Sequence, residues 1–522
     1  MIEEINICVS PRTAAIESEL RTAAAATLGI SAEKINDIVI TRQSIDARQK
    51  NVKVNLTVRI AHGEDTLASV AMKRVVLQKA GRDAEPIVIV GAGPAGLFAA
   101  LRALELGLRP ILLERGKEVD KRILDLAAIS RKGVLDPDSN YCFGEGGAGA
   151  FSDGKLFTRS KKRGDVGSIL QLLVQYGASE NILRDAHPHI GSDKLPAIIR
   201  NIRNAIIEHG GEVHFGSRVT ELIIENDEVK GVKTAAGETF MGPVILATGH
   251  SARDVYEMLF KAGVSIEPKG IAMGVRLEHP QELIDRIRYH SPAGRGKWLP
   301  PAEYSYVAQV DGRGVYSFCM CPGGVIVPSA SAPQESVVNG MSASGRSGKW
   351  ANSGMVVQIL PGDFPEYDKY GPLQMMRLQQ DLESKFYEAA GRSMKAPAQR
   401  MTDFIEGKAS ESLPASSYPP GLVRGRLDTL LPPFIAERLK KGFKEFGRKS
   451  KGFLTPQALM VGLESRTSSP VRVPRDKETL RHIEMRGLYP CGEGAGYAGG
   501  IVSAAIDGRR CVEAYVASLN AK

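Results

Sequence analysis

The chain has 522 residues, 43% apolar and 24% charged, with 68 Lys and Arg against 59 Asp and Glu for a net charge of +9. That composition excludes wholesale disorder, and the length exceeds one ordinary core, so two or three structural units are expected, one of them split in sequence. The acids of Met1-Ile2-Glu3-Glu4 stand where a signal peptide needs basic residues. No stretch approaches the roughly 18 apolar residues of a membrane span, and a cytoplasmic protein is expected.

Residues 1–80 read as a small βαββ unit, half of a ferredoxin-like fold: a short strand from Ile5, an Ala-rich helix over Ala14–Leu28, and strands over Ile38–Arg42 and Val52–Ile60. The last alternates strictly as Val52, Val54, Leu56, Val58, Ile60. Arg42, Arg48, Lys50 and Lys53 gather near the hairpin between those strands, as a nucleic-acid contact or, the preferred reading, as a solvated hairpin end. Lys79–Glu85 is polar and Gly-containing, as a linker should be.

Beyond the linker, strand, Gly-rich turn and helix alternate, which is the pattern of an α/β fold. Pro86–Val90 is the apolar run of a buried parallel strand. It is followed by Gly91-Ala-Gly93-Pro94-Ala95-Gly96 and a helix with Leu97, Ala100, Leu101 and Leu104 on one face. In such a loop the first glycine allows the turn, the second lets backbone approach a pyrophosphate, and the third lets helix and strand pack closely. Free N–H groups at the helix start face the phosphates. The next strand, Ile111–Leu113, ends in Glu114 and Arg115, with the acid at the roughly 20-residue interval where it accepts from ribose hydroxyls. A dinucleotide is therefore expected.

Two later segments choose the dinucleotide. Gly242–Gly249 is an apolar strand ending in Ala247-Thr248-Gly249 and resembles the Ala-Thr-Gly strand of glutathione-reductase-like flavoproteins. Gly487–Gly494, with Gly492 and Glu493, leads through Gly499-Gly500-Ile501 into a helix and resembles the return by which those proteins close on FAD. Many relatives have Asp at the Glu493 position. Gly211–Phe215 and Arg218-Val219 are similar to the strand and turn that meet adenine. The resemblance implies a Rossmann-type FAD domain split over residues 85–250 and 471–522, with an α+β substrate domain at 251–470. No second Gly-x-Gly-x-x-Gly follows a strand, so a nicotinamide (NAD(P)H) donor, if used, docks transiently.

Longer segments sharpen this: Asn140–Lys155, Ala186–Leu195, Phe318–Gly324, Glu464–Pro470 and Pro490–Gly500. Together with the βαββ head they resemble, over nearly the whole chain, the bacterial family of uncharacterised FAD-dependent (NAD(FAD)-utilizing) dehydrogenases. The family implies FAD and a middle substrate domain, and no established substrate.

Among chemistry-bearing residues, Gly144–Gly149, including Gly146 and Gly147, is so poor in side chains that its backbone must approach something flat or anionic. Cys142 lies where disulfide reductases of this class keep a redox-active Cys-x4-Cys, but the partner position is Gly147. That relay is missing. Ser152, Asp153 and Lys155 are candidates to tune the flavin, and His187 and His189 to act as acid and base, since imidazole titrates near neutrality. Arg466 and Arg472 are candidates to fork onto a substrate carboxylate or the FAD phosphates, with Glu464 an alternative internal partner for Arg466.

Three features have blander readings. Residues 327–354, rich in Ser, Gly and Ala, read as an extended loop, and Phe434–Phe453 as a helix with aromatics inward and lysines outward. Cys8, Cys142, Cys319, Cys321, Cys491 and Cys511 lack zinc-type pairing, so no metal site is expected. Cys319-Met320-Cys321 brings two thiols too close in sequence for an unstrained disulfide.

The leading expectation is an FAD-dependent dehydrogenase or reductase passing a hydride between flavin N5 and a small organic substrate. A flavin monooxygenase is the first alternative. An RNA-binding or RNA-modifying flavoprotein, suggested by charge and by the head domain, is the second.

Overall fold

A computed structural model describes residues 1–67, 74–158 and 164–520. The head is a three-stranded antiparallel sheet in which Lys53–His62 lies between Ile2–Val9 and Ile35–Asp46. The helix Glu17–Leu28 covers one face, packing Leu20, Ala24 and Ala25 on Val54, Leu56, Val58 and Ile60. The strand expected at Ile38–Arg42 runs over Ile35–Asp46. Its polar end lacks strand propensity, yet it supplies the ladder partners that the backbone of the central strand requires.

The second body is built on a five-stranded parallel sheet in the order Leu488–Pro490, Val244–Leu246, Pro86–Val90, Arg109–Glu114, Glu212–Phe215. The C-terminal segment thus pairs directly with the strand that leads into Ala247. Helices Pro94–Glu105, Val166–Gln175, Leu195–Glu208 and Ile501–Asn520 cover one face in a common core. Two of them meet backbone to backbone, because a Cβ on Gly508 would collide with the Ala95 carbonyl. The opposite face carries a three-stranded antiparallel sheet over 219–241 and the helix Arg253–Lys261.

The third body is an eight-stranded mixed sheet. Its order is Val307–Val310, Arg313–Pro328, Trp350–Ile359, Ile271–Pro280, Leu459–Glu464, Ala396–Arg400, Leu422–Arg424, and Val338–Met341 pairs at the side with Arg313–Pro328. Met273, Val275, Leu277, Met355 and Val357 turn one face towards Phe443 and Phe446 of the helix Pro433–Lys449. That helix buries its aromatics as expected, each worth about 3–5 kcal/mol against truncation to alanine. Alternate residues of the same strands, Arg276 and Glu278 among them, point the other way.

The loop expected at 327–354 is mostly irregular, as read, but it is interrupted by strand. Val338–Met341 and the start of Trp350–Ile359 lie within it. Its small residues have poor strand propensity but allow close approach: a Cβ on Gly340 would strike the Arg276 guanidinium, and one on Gly348 would strike the Gly323 carbonyl. Among the described residues no helix is long and apolar enough to cross a membrane.

Candidate flavin site

A cavity of about 400 Å³ opens at the carboxyl ends of the parallel strands and extends to the mixed sheet. Gly91, Gly93, Pro94 and Ala95 line it where strand gives way to helix. Gly91 sits at φ +104, and a Cβ there would strike the Ala247 carbonyl. Gly96 does not line the cavity. It packs beneath, where a Cβ would collide with the Gly91 carbonyl. Gly93 differs from both, since a Cβ there would meet nothing nearer than the Gly147 Cα at 3.9 Å. That open space over a helix N-terminus fits a pyrophosphate, each charge–dipole contact contributing about 0.3–1 kcal/mol.

Glu114 ties the site together. Its carboxylate accepts from the backbone N–H groups of Ala92 at 2.9 Å, Gly116 at 2.9 Å and Gly144 at 3.0 Å. Three of about four lone-pair positions are thereby used, leaving one on the cavity side for a hydroxyl. Arg115 also lines the cavity, but its guanidinium is held by Asp138 and Asp254 over the Phe143 ring.

Arg218 and Val219 at one strand end and Ala247, Thr248 and Gly249 on another form further wall, joined by Ser217 and His250, which sequence reasoning did not single out for the site. The Gly144–Gly149 run contributes Gly147, Ala148 and Gly149. Gly146 does not face the cavity; it turns at φ +83 against Ile199. The run is clamped by Arg122, fully buried, which donates to the carbonyls of Asn140, Glu145 and Gly147.

From the C-terminal return, Gly492, Glu493, Gly500 and Ile501 line the cavity. Asp507, unforeseen, fixes this loop: it accepts from Gly492 N–H at 2.8 Å and from Arg475 at 2.6 and 2.9 Å. Cys491, Asp507 and Cys511 cluster closely enough to suggest a cation, but Arg475 already spans both oxygens of the acid.

The remaining candidates divide. Lys155 lines the cavity, its ammonium donating to the Met320 carbonyl 3.9 Å from Asp153. Burial would neutralise it, but the field of Cys319, Cys321 and Asp153 prevails and raises its proton affinity. Neither His187 nor His189 lines the cavity, contrary to their reading as acid and base. His187 is exposed and stacks on Phe157 at 4.8 Å, and His189 Nε2 lies 3.1 Å from the Ser344 carbonyl. The Phe157 ring on which His187 stacks does line the cavity, so that imidazole lies one side chain behind the wall.

Arg466 and Arg472 do not present free forks either. Arg466 is buried between Glu383 at 2.9 Å, Glu335 at 2.5 Å and the Ser331 hydroxyl. Arg253 completes this island through both acids. Burial alone would raise the Glu383 carboxyl, yet Arg253 and Arg466 hold it down to about 2. Glu464 pairs with Arg276, not Arg466, at 3.3 Å, and burial lifts its carboxyl to about 7. Arg472 is exposed on the ribbon opposite Glu267, over the Tyr497 ring.

Family comparison agrees with this geometry. Residues 195–336 match the model described as FAD dependent oxidoreductase, and residues 270–467 match FAD-dependent protein, C-terminal domain-like. Residues 1–61 match a domain of unknown function. An uncharacterised protein of Clostridium beijerinckii is 40% identical over 505 residues, covering 93% of each chain. The chain belongs to the FAD-dependent oxidoreductase family. FAD is the cofactor of this flavoprotein, and the residues of the cavity fit it.

Part of the flavoprotein, 29% of its length, is 27% identical to digeranylgeranylglycerophospholipid reductase 2 of Methanococcoides burtonii, of which it covers 34%. Among solved structures, a flavocytochrome c3 fumarate reductase in an open conformation aligns over 82% of this chain and 78% of its own, at 14% identity and a TM-score of 0.35.

Proposed function

We propose that residues 85–250 and 471–522 make one split FAD-binding unit of the glutathione-reductase-like kind, and that residues 251–470 hold a small organic substrate which exchanges a hydride with flavin N5. The observation that carries this reading is one cavity lined both by the glycine-led starts of two helices, at Pro94 and Ile501, and by Lys155 and Cys319 against the mixed sheet.

When bound, FAD supplies a two-electron centre. The chain's own residues do the rest. Gly93 and the N–H groups after it receive the pyrophosphate, and Glu114 offers its remaining lone pair to a ribose hydroxyl. Thr248, Gly249 and the Gly492-Glu493 loop bound the middle of the cofactor. Lys155, tethered to the Met320 carbonyl, supplies a fixed positive charge that stabilises negative charge developing nearby. A nicotinamide donor, where one serves, docks transiently.

The test is anaerobic titration of the purified protein with NADH, NADPH and a panel of metabolites, followed by flavin absorbance. Bleaching by one compound identifies the reductive half-reaction. A chain that neither carries nor takes up FAD overturns the reading.

A further inference from the structure

The strand Arg313–Pro328 pairs regularly with Trp350–Ile359 up to Phe318, then slips register twice, between Phe318 and Cys321 and between Cys321 and Gly324. Cys319 sits in the first slip at φ +47, a conformation that L side chains adopt rarely. The bulge turns its side chain out of the sheet and into the cavity, where its surface is exposed although protein surrounds it. Two residues on, Cys321 is fully buried behind it, with Sγ 3.4 Å from the Cys319 carbonyl oxygen.

The surroundings of this pair are charged from every side. Arg276, on the strand Ile271–Pro280 beyond Trp350–Ile359, donates to the Cys319 carbonyl at 2.7 Å and reaches Cys321 Sγ at 3.3 Å. Lys155 approaches from the loop after the glycine run, with Asp153 and its partner Arg346 behind. Glu464 lies beyond Arg276. Nothing in hydride transfer needs two thiols here.

We propose that Cys319 and Cys321 are a redox-active dithiol whose ligand is a small-molecule disulfide entering the cavity, Cys319 attacking and Cys321 resolving. In the first step the Cys319 thiolate forms a bond to one ligand sulfur as the ligand's S–S bond breaks. The leaving thiolate takes a proton from Lys155, which recovers one from solvent. Cys321 then attacks the Cys319 sulfur, the second ligand thiol departs with the Cys321 proton, and a Cys319–Cys321 disulfide remains. The ligand has gained two electrons and two protons.

A disulfide across one intervening residue is strained and readily reduced, which suits a transient carrier and not a structural bond. Bound FAD would supply the two electrons that restore both thiols, with two protons from solvent, and a donor of the nicotinamide class would reload it. Only this return of electrons rests on the function proposed above. The missing partner of Cys142 is no objection, because the dithiol is supplied by another segment of the cavity lining, the strand Arg313–Pro328.

The electrostatics agree with the order of attack. Hydrogen bonding from the Cys321 thiol, opposed by burial and aided by Lys155 and Arg276, holds the Cys319 thiol down to about 6, while the Cys321 thiol is pushed up. The exposed sulfur is the nucleophile and the buried one waits as a thiol.

The experiment treats the purified flavoprotein with bis(hydroxyethyl) disulfide, caps remaining thiols with N-ethylmaleimide and maps the peptides by mass. The wild type should release two thiols per chain and yield the Cys319–Cys321 cross-link. Cys321→Ser should stop at a mixed disulfide on Cys319, and Cys319→Ser and Cys319→Ala should release neither thiol at the wild-type rate. Labelling of Cys319 by iodoacetamide should titrate with a midpoint about 6, against about 8.5 for a free thiol. The proposal is overturned if folded Cys321→Ser, checked by its melting curve, leaves Cys319 unmodified, or if the wild type halts at the mixed disulfide. Flavin content read on the same samples separates the two ideas: a chain without flavin that still forms the cross-link sinks the hydride reading and leaves the dithiol standing.

Discussion

Arg466 and Glu383 meet at 2.9 Å in the interior, and the same carboxylate holds Arg253 at 2.8 Å. One acid therefore neutralises much of two buried guanidinium groups, with Glu335 as the second anion. Both arginines face inward to these acids, which makes the island a joint between the helix Arg253–Lys261, the helix Gln374–Ala389 and the end of the strand Leu459–Glu464.

Glu383→Gln leaves two buried cations with one acid, and should destabilise the fold by about 3–5 kcal/mol, read by urea denaturation. Since the folded carboxyl lies at about 2 against an ordinary 4.5, its stabilisation is present above pH 4.5 and is lost as pH falls towards 2. The wild type should weaken steeply in that window, and the variant should not share that slope. Equal slopes would show that the island does not act as drawn.

The dinucleotide loop yields a paired prediction. Gly93→Ala finds open space and an ordinary φ of −77, so the fold should lose less than about 1 kcal/mol. FAD retention should nevertheless fall, because the new methyl stands where a phosphate must approach. Gly96→Ala collides with backbone and should cost about 1–3 kcal/mol in stability as well as flavin. Melting curves and flavin content, measured together, distinguish the two.

His279 is buried, with Nε2 2.9 Å from the Phe453 carbonyl, and burial pushes its imidazole from 6.5 to about 4. The folded form keeps the ring neutral while the unfolded chain takes up a proton. Stability should therefore fall by about 3 kcal/mol as pH drops from 6.5 to 4. His279→Gln retains an amide donor without a titrating group and should flatten that part of the profile; an unchanged profile would refute the assignment.

His187→Ala and His189→Ala should change flavin reduction by less than about twofold, as neither ring lines the cavity. Lys155→Met should lower the flavin's reduction potential by removing a fixed cation. Stopped-flow reduction and a redox titration check these expectations, and a large loss in either histidine variant would return those residues to the site.

The sequence by itself determined the cofactor, the glycine-led turn after Pro86–Val90 and the parallel α/β core. Gly91, Gly93, Gly96 and Glu114 were legible because turn geometry, close approach and an acid at a strand end are local demands, met within a few residues of the chain. The inward face of Pro433–Lys449 and the alternation of Val54 to Ile60 were legible for the same reason. Which charges are spent and which sulfur is presented was decided only by tertiary structure. Arg466 meets Glu383 across 83 residues and Arg276 meets Glu464 across 188. Cys319 faces the cavity because a ladder with Trp350–Ile359 slips register beside it. Sequence spacing carries no information on such encounters, since burial of a charge selects whatever opposite charge the packing brings within reach.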